Sequence, residues 1–145
     1  MGNKAAKQPK DTSREAEDVF TGFFRTPTQE NYEKLLQHDT VFRRKIGINY
    51  ELFLCAIAEK WHLGSFPLHV MAHYRQTTNR LLDEKTVLNV GQLDMLWALF
   101  HATGEKRYAN RIKMVAEEKS PADPLTLMAA IWSYQSHTKQ GLLKD

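Results

Sequence analysis

The sequence lacks several features that would place it in a specialised class. Its 145 residues contain one cysteine, Cys55, so the chain can form neither an internal disulfide nor a thiolate metal cluster. One cysteine fits a reducing compartment, and we expect a cytoplasmic protein. No apolar run approaches the roughly 20 residues that a membrane-spanning helix needs. No apolar stretch typical of a secretory signal follows the N-terminus.

Sequence motifs of common enzyme classes are also missing. The chain has no glycine-rich phosphate loop, no Gly-x-Ser-x-Gly and no alternation of strands and helices typical of a nucleotide-binding sheet. Glu117 and Glu118 are neighbours, but adjacent residues of a helix point to different faces, so they do not form an acid/base pair. We therefore expect a protein that is not an enzyme and carries no cofactor.

The composition is that of an ordinary globular protein, with 42% hydrophobic and 26% charged residues. We expect a single α-helical domain over residues 13–140, a flexible basic tail over 1–12 and a frayed C-terminus over 141–145. Thr12 or Ser13 is the expected cap of the first helix.

Apolar residues recur at intervals of three and four, which predicts an all-α fold of about six to seven helices. Thr28, Asn49 and Asp123 are expected N-caps. The segment 50–58 is apolar on nearly all sides, which predicts the central buried helix. For the last helix, the pattern predicts an inward face, which comprises Leu125, Met128, Ala129 and Trp132.

Residues 93–121 show the clearest helical pattern of the chain. They predict two amphipathic helices joined by a tight turn at Gly104. Within a 34-residue unit that begins at Val90, this stretch resembles the tetratricopeptide (TPR) repeat over residues 90–123. The matching positions are Leu96, Phe100, Gly104, Ala109, Ala116 and Pro121. The unit departs from the repeat at Leu93, Trp97 and Lys113. The stretch is also similar to uncharacterised bacterial helical-repeat proteins.

The resemblance implies antiparallel helical hairpins in a TPR-like right-handed stack. An internal echo supports this reading, because a shift of 76 residues superimposes a second hairpin on the first. Phe20, Phe24, Tyr32 and Leu36 then fall on Leu96, Phe100, Tyr108 and Ile112. Any two amphipathic hairpins of equal loop length would align in the same way, so a true repeat and a chance match both remain open.

Stacked hairpins form grooves that receive a helix or a peptide. The sequence therefore favours a non-catalytic adaptor or scaffold protein that binds another protein, as part of a larger assembly. From their helix positions we expect five exposed partner-binding residues, which are Asp94, His101, Arg107, Asn110 and Arg111.

Two alternative functions depend on local clusters of side chains, one basic and one composed of candidate metal ligands. The mildly basic charge of +3 permits nucleic-acid binding through Arg43, Arg44 and Lys45. In that alternative the tail lysines contribute as well, namely Lys4, Lys7 and Lys10.

The second alternative is a metal site. Glu-x-x-His and His-x-x-x-His spacings each place two ligands on one helix face, and a turn at Gly64 would bring the two faces together. The candidate ligands are Glu59, His62, His69 and His73.

Overall fold

A computed structural model describes the backbone of residues 3–143 and the side chains of residues 14–143. This part of the chain folds into eight helices and has no strand, which confirms the all-α prediction. The helices are α1 (Asn3–Arg25), α2 (Gln29–Leu36), α3 (Asp39–Ile46), α4 (Asn49–Trp61), α5 (Leu68–Leu82), α6 (Val90–Thr103), α7 (Lys106–Ala116) and α8 (Pro124–Lys139). The described part of the chain thus has one helix more than the six to seven that the sequence predicted.

Local side-chain chemistry sets several of the helix ends. The Thr28 hydroxyl accepts a hydrogen bond from the Asn31 backbone N–H at 3.2 Å, and Asp123 caps the Thr126 N–H at 2.8 Å. Gly104 ends α6 in the left-handed conformation at φ 71°. A glycine adopts this conformation without a Cβ clash, so the predicted stop at Gly104 is confirmed.

Two predicted N-caps differ from the structure. Helix α1 begins at Asn3, before Thr12 and Ser13, because Lys, Ala and Gln in residues 4–8 are all strong helix formers. Asn49 is the first residue of α4, and Ile48 occupies the cap position without a side-chain hydrogen bond. The predicted flexibility of 1–12 stays a prediction. Residues 1–2, the side chains of 1–13, and residues 144–145 of the predicted frayed end lie outside the described part.

Helix α6 is the centre of the domain. It packs against α1, α4, α7 and α8, and residues on nearly all of its faces are buried. Helix α4, which the sequence predicted as the central helix, is also largely buried and packs against α3, α5 and α6. None of the helices described is both long and apolar enough to cross a membrane.

The buried Arg111 of α7 connects three parts of the chain. Its guanidinium donates hydrogen bonds to the carbonyls of Leu81 at 3.0 Å and Asp83 at 3.1 Å, which lie at the C-terminal end of α5. It also donates to the Thr86 carbonyl at 2.7 Å and to the Ser120 hydroxyl at 3.1 Å. A cation is favourable at a helix C-terminus, because the helix dipole is negative there. The exposed position predicted for Arg111 is therefore wrong.

We expect Arg111→Ala to lower the free energy of unfolding by about 3 kcal/mol, because it removes charge-assisted hydrogen bonds and leaves carbonyls without donors. Urea denaturation measures this loss. Arg80→Ala, which removes an exposed arginine of α5, should change the same quantity by less than about 0.5 kcal/mol. A loss below about 1 kcal/mol for Arg111→Ala would show that the guanidinium does not hold these segments together.

Candidate functional site

Polar groups orient α8 on α6. The indole N–H of Trp97 donates to the Ser133 hydroxyl at 2.9 Å, and its rings stack on His137 with centroids 3.6 Å apart. His137 Nδ1 donates to the Ser133 carbonyl at 2.8 Å, because a carbonyl only accepts. His137 Nε2 therefore accepts from His101 Nε2, 3.0 Å away. Together with the packing of α8 against α7, these contacts set which side of α8 faces the core.

This orientation reverses the predicted inward face of α8. Thr126 and Ala130 are buried, whereas Leu125, Met128 and Trp132 are 70%, 68% and 73% exposed. The prediction that these three large side chains point inward is therefore wrong, whereas Ala129 packs against the core as predicted. The three exposed side chains recur at intervals of three and four along one side of the helix, and we refer to them as the α8 outer face.

The α8 outer face is also free of charge. No Asp, Glu, Lys or Arg occurs between residues 124 and 138, although one side of this segment lies at the protein surface. The cores of protein interfaces are depleted in charged residues and enriched in Trp and Met. Contiguous exposed apolar patches commonly mark interaction sites in proteins. The α8 outer face therefore has the chemistry of a protein-binding surface.

His101 lies beneath α8, half-buried and in contact with aromatic rings. Its ring centroid is 5.1 Å from Phe20 and 5.3 Å from Phe24. Its Nδ1 is buried without a hydrogen-bond partner in the described part of the chain. Burial, together with the charge of neighbouring His137, lowers the pKa of His101 to about 3. His101 was expected to be exposed, and it is half-buried instead.

The two histidines make stability depend on pH. Burial also lowers the pKa of His137, so both rings bind protons less readily in the folded chain than in the unfolded chain. The contribution of these two rings to the free energy of unfolding should therefore be fully present well above pH 6.5, the ordinary pKa of histidine, and should decrease as the pH falls through that value. It should fall below that pH by up to about 1.4 kcal/mol per unit for each fully neutral ring.

We expect His101→Leu to flatten this fall between pH 6.5 and 5. Urea denaturation at several pH values measures the slope, which does not depend on the variant's stability at neutral pH. His69→Leu removes an exposed histidine of α5 and should keep the wild-type slope. An unchanged slope in His101→Leu would contradict the neutral buried state of this ring.

A polar cleft of about 430 Å³ lies where α4, α5 and α7 meet, and it contains the predicted partner residue Arg107. Glu105 forms ion pairs with Lys60 at 3.0 Å and with Arg107 at 2.6 Å. Burial would raise the pKa of Glu105, but hydrogen bonds from these two cations outweigh it and lower the pKa. Arg75 pairs with Glu59 at 3.5 Å. The charges of the cleft thus largely neutralise one another.

The five predicted partner residues do not form one surface. Asp94, Arg107 and Asn110 are exposed, whereas His101 is half-buried and Arg111 is buried. Asp94 borders a cavity beside α3, and Arg107 borders the polar cleft. Partner binding by the three exposed residues stays a prediction.

The basic run of α3 is exposed, but two of its three cations have partners. Arg43 lies over the Tyr50 ring, 5.1 Å from its centroid, and Lys45 pairs with Glu17 at 3.3 Å. Arg44 is exposed. The side chains of the tail lysines lie outside the described residues. The run therefore offers less free positive charge to a nucleic acid than the sequence indicates.

The structure does not gather the predicted metal ligands. In the part of the chain described, no three His, Cys, Asp or Glu side chains lie close enough to hold a metal ion. His62 ends α4 in the left-handed conformation, which takes it off the helix face that carries Glu59. His69 and His73 remain on an exposed side of α5.

Sequence reasoning missed the α8 outer face. One signal for it was present, namely the absence of charged residues over 124–138 in a helix that also carries Ser and Thr. A surface helix normally carries charged residues on its solvent side.

No protein-family model, characterised protein or solved structure matches this chain. Its function is therefore inferred from its own residues.

Proposed function

We propose that this protein is a non-catalytic helical adaptor that binds another protein through the α8 outer face. The observation that carries the proposal is the exposure of Leu125, Met128 and Trp132 on one side of an uncharged helix. Three large apolar side chains in contact with water are unfavourable, and a partner that covers each of them would gain about 1.5–3 kcal/mol per side chain.

The spacing of the face favours a helical partner. Leu125, Met128 and Trp132 follow the three-then-four interval of a coiled-coil seam, and Gln135 continues it. An amphipathic helix with its own apolar stripe would place side chains between them. Trp132 is the expected anchor, because exposed tryptophans are frequent energetic centres of interfaces.

The absence of charge argues for protein rather than lipid or nucleic acid. A helix that lies on a membrane surface normally carries Lys and Arg on its polar face, and nucleic-acid binding needs cations for the phosphates. Helix α8 has one charged residue, Lys139, at its last position. An apolar protein surface is therefore the occupant that suits this helix.

The proposal includes a TPR-like arrangement of the C-terminal half. Helices α6 and α7 pack together across a two-residue connection, and α7 packs against α8. Ala109 is buried, as the close packing of a repeat needs. In this arrangement α8 is the terminal helix of a stack, whose outer face remains available for the next element.

The test is co-purification from native extract with identification of the bound proteins. We expect a partner that binds the wild type and is lost with the double variant Met128→Ala and Trp132→Ala. Truncation of these exposed side chains should leave the free energy of unfolding within about 0.5 kcal/mol of the wild-type value. Loss of binding would then reflect the surface rather than the fold.

Leu68→Ala is the matched control, because Leu68 is an equally apolar residue, 86% exposed on α5. It should retain the partner. A partner that binds the double variant as well as the wild type would contradict the proposal. So would dimerisation of the purified chain that the double variant abolishes, since the α8 outer face would then serve self-association.

A further inference from the structure

A partly open cavity of about 450 Å³ lies between α1, α3, α6 and the segment after α8. Its size falls within the usual range for pockets that bind small molecules. Its lining is mostly apolar, and the apolar residues that matter here are Phe20, Phe24, Phe42, Ile46 and Leu142. None of them belongs to the α8 outer face, so this cavity is a feature independent of the adaptor surface.

Helix α1 lines the cavity with two parallel rows of residues. Ala16, Phe20 and Phe24 recur every four residues and form the apolar row. A second row lies one position further along α1 and forms a polar edge at the rim of the cavity. It consists of Glu17, Thr21 and Arg25. From Glu17 to Arg25 the rim is about 12 Å long, at 1.5 Å per residue. The cavity is thus elongated, with an apolar wall beside a polar edge.

The charged residues at the two ends of the polar row differ in whether they have an ion-pair partner. Glu17 is neutralised by Lys45 of α3, whose Nζ lies 3.3 Å from its carboxylate. At the other end, no carboxylate among the described residues forms an ion pair with the exposed Arg25. Arg25 therefore supplies an available guanidinium at one end of an apolar cavity. A guanidinium binds a carboxylate through two parallel hydrogen bonds.

The part of the cavity wall formed by His101 and Gln140 adds no charge that would compete with Arg25 for an anionic ligand. His101 lines the cavity beside Phe20 and Phe24, and its low pKa keeps the ring neutral at physiological pH. Gln140 contributes an uncharged amide. Among the described residues, an anionic group that enters the cavity therefore finds an unpaired counter-charge at Arg25, because Lys45 is paired with Glu17.

We propose that this cavity binds a small carboxylic acid with an extended apolar tail. The carboxylate pairs with Arg25, and the tail lies along Phe20 and Phe24 towards Phe42. The guanidinium selects the charge of the head group, and the aromatic row selects the apolar tail. This assigns the protein a ligand class in addition to a protein partner.

Isothermal titration with decanoate and with decanol tests the proposal, because the two probes differ only in the charged head group. We expect saturable binding of decanoate to the wild type. Arg25→Gln should weaken that binding by about tenfold, as expected for the loss of one charge-assisted pair. The affinity for decanol should be the same in the wild type and in Arg25→Gln.

Two further variants separate the cavity from general charge effects. Arg80→Gln removes an exposed arginine of α5 that does not line the cavity, and it should leave decanoate binding unchanged. Thr21→Trp fills the mouth of the cavity from an exposed position and should weaken the binding of both probes. The proposal is overturned by absence of saturable decanoate binding, by equal affinity in Arg25→Gln, or by an equal loss in Arg80→Gln.

Discussion

The rotation of α8 about its own axis determines which of its apolar side chains are exposed to solvent. Polar contacts with α6 contribute to setting that rotation. A buried indole N–H without an acceptor costs about 1–3 kcal/mol, and Ser133 supplies the acceptor for Trp97. His137 contacts a second polar ring, the half-buried His101, at 3.0 Å. On the same side, Ala130 is small enough to let the helices approach closely. The larger apolar residues are therefore left on the outside.

The central position of α6 links the two surfaces proposed here. Trp97 holds α8 with its outer face towards solvent, and His101, one turn further along α6, forms part of the cavity wall. One buried helix thus positions both the α8 outer face and the elongated cavity. Both histidines take part in these contacts, so we expect their protonation to weaken the packing of α8 and of the cavity wall.

Local structure was largely predictable from the sequence, whereas the way the helices face each other was not. Caps such as Thr28 and Asp123 act within a few residues, so the sequence contains the whole interaction. Helix α8 carries apolar residues on two sides, so its hydrophobic pattern cannot choose between them. Arg111 is buried because the end of α5 presents carbonyls to it, which depends on residues about 30 positions away. The candidate site follows from such long-range contacts and was therefore missed.

The exposure of Trp132 is the most direct test of this account. The chain has three tryptophans; Trp97 is buried, and the indole N–H of Trp61 donates to the Ala102 carbonyl at 2.9 Å. Acrylamide quenching of tryptophan fluorescence, compared between the wild type and Trp132→Phe at low protein concentration, measures the exposure. The account predicts that Trp132→Phe removes most of the quenchable, red-shifted emission. Equal quenching in the two proteins would show that Trp132 faces the core and that α8 has the opposite rotation.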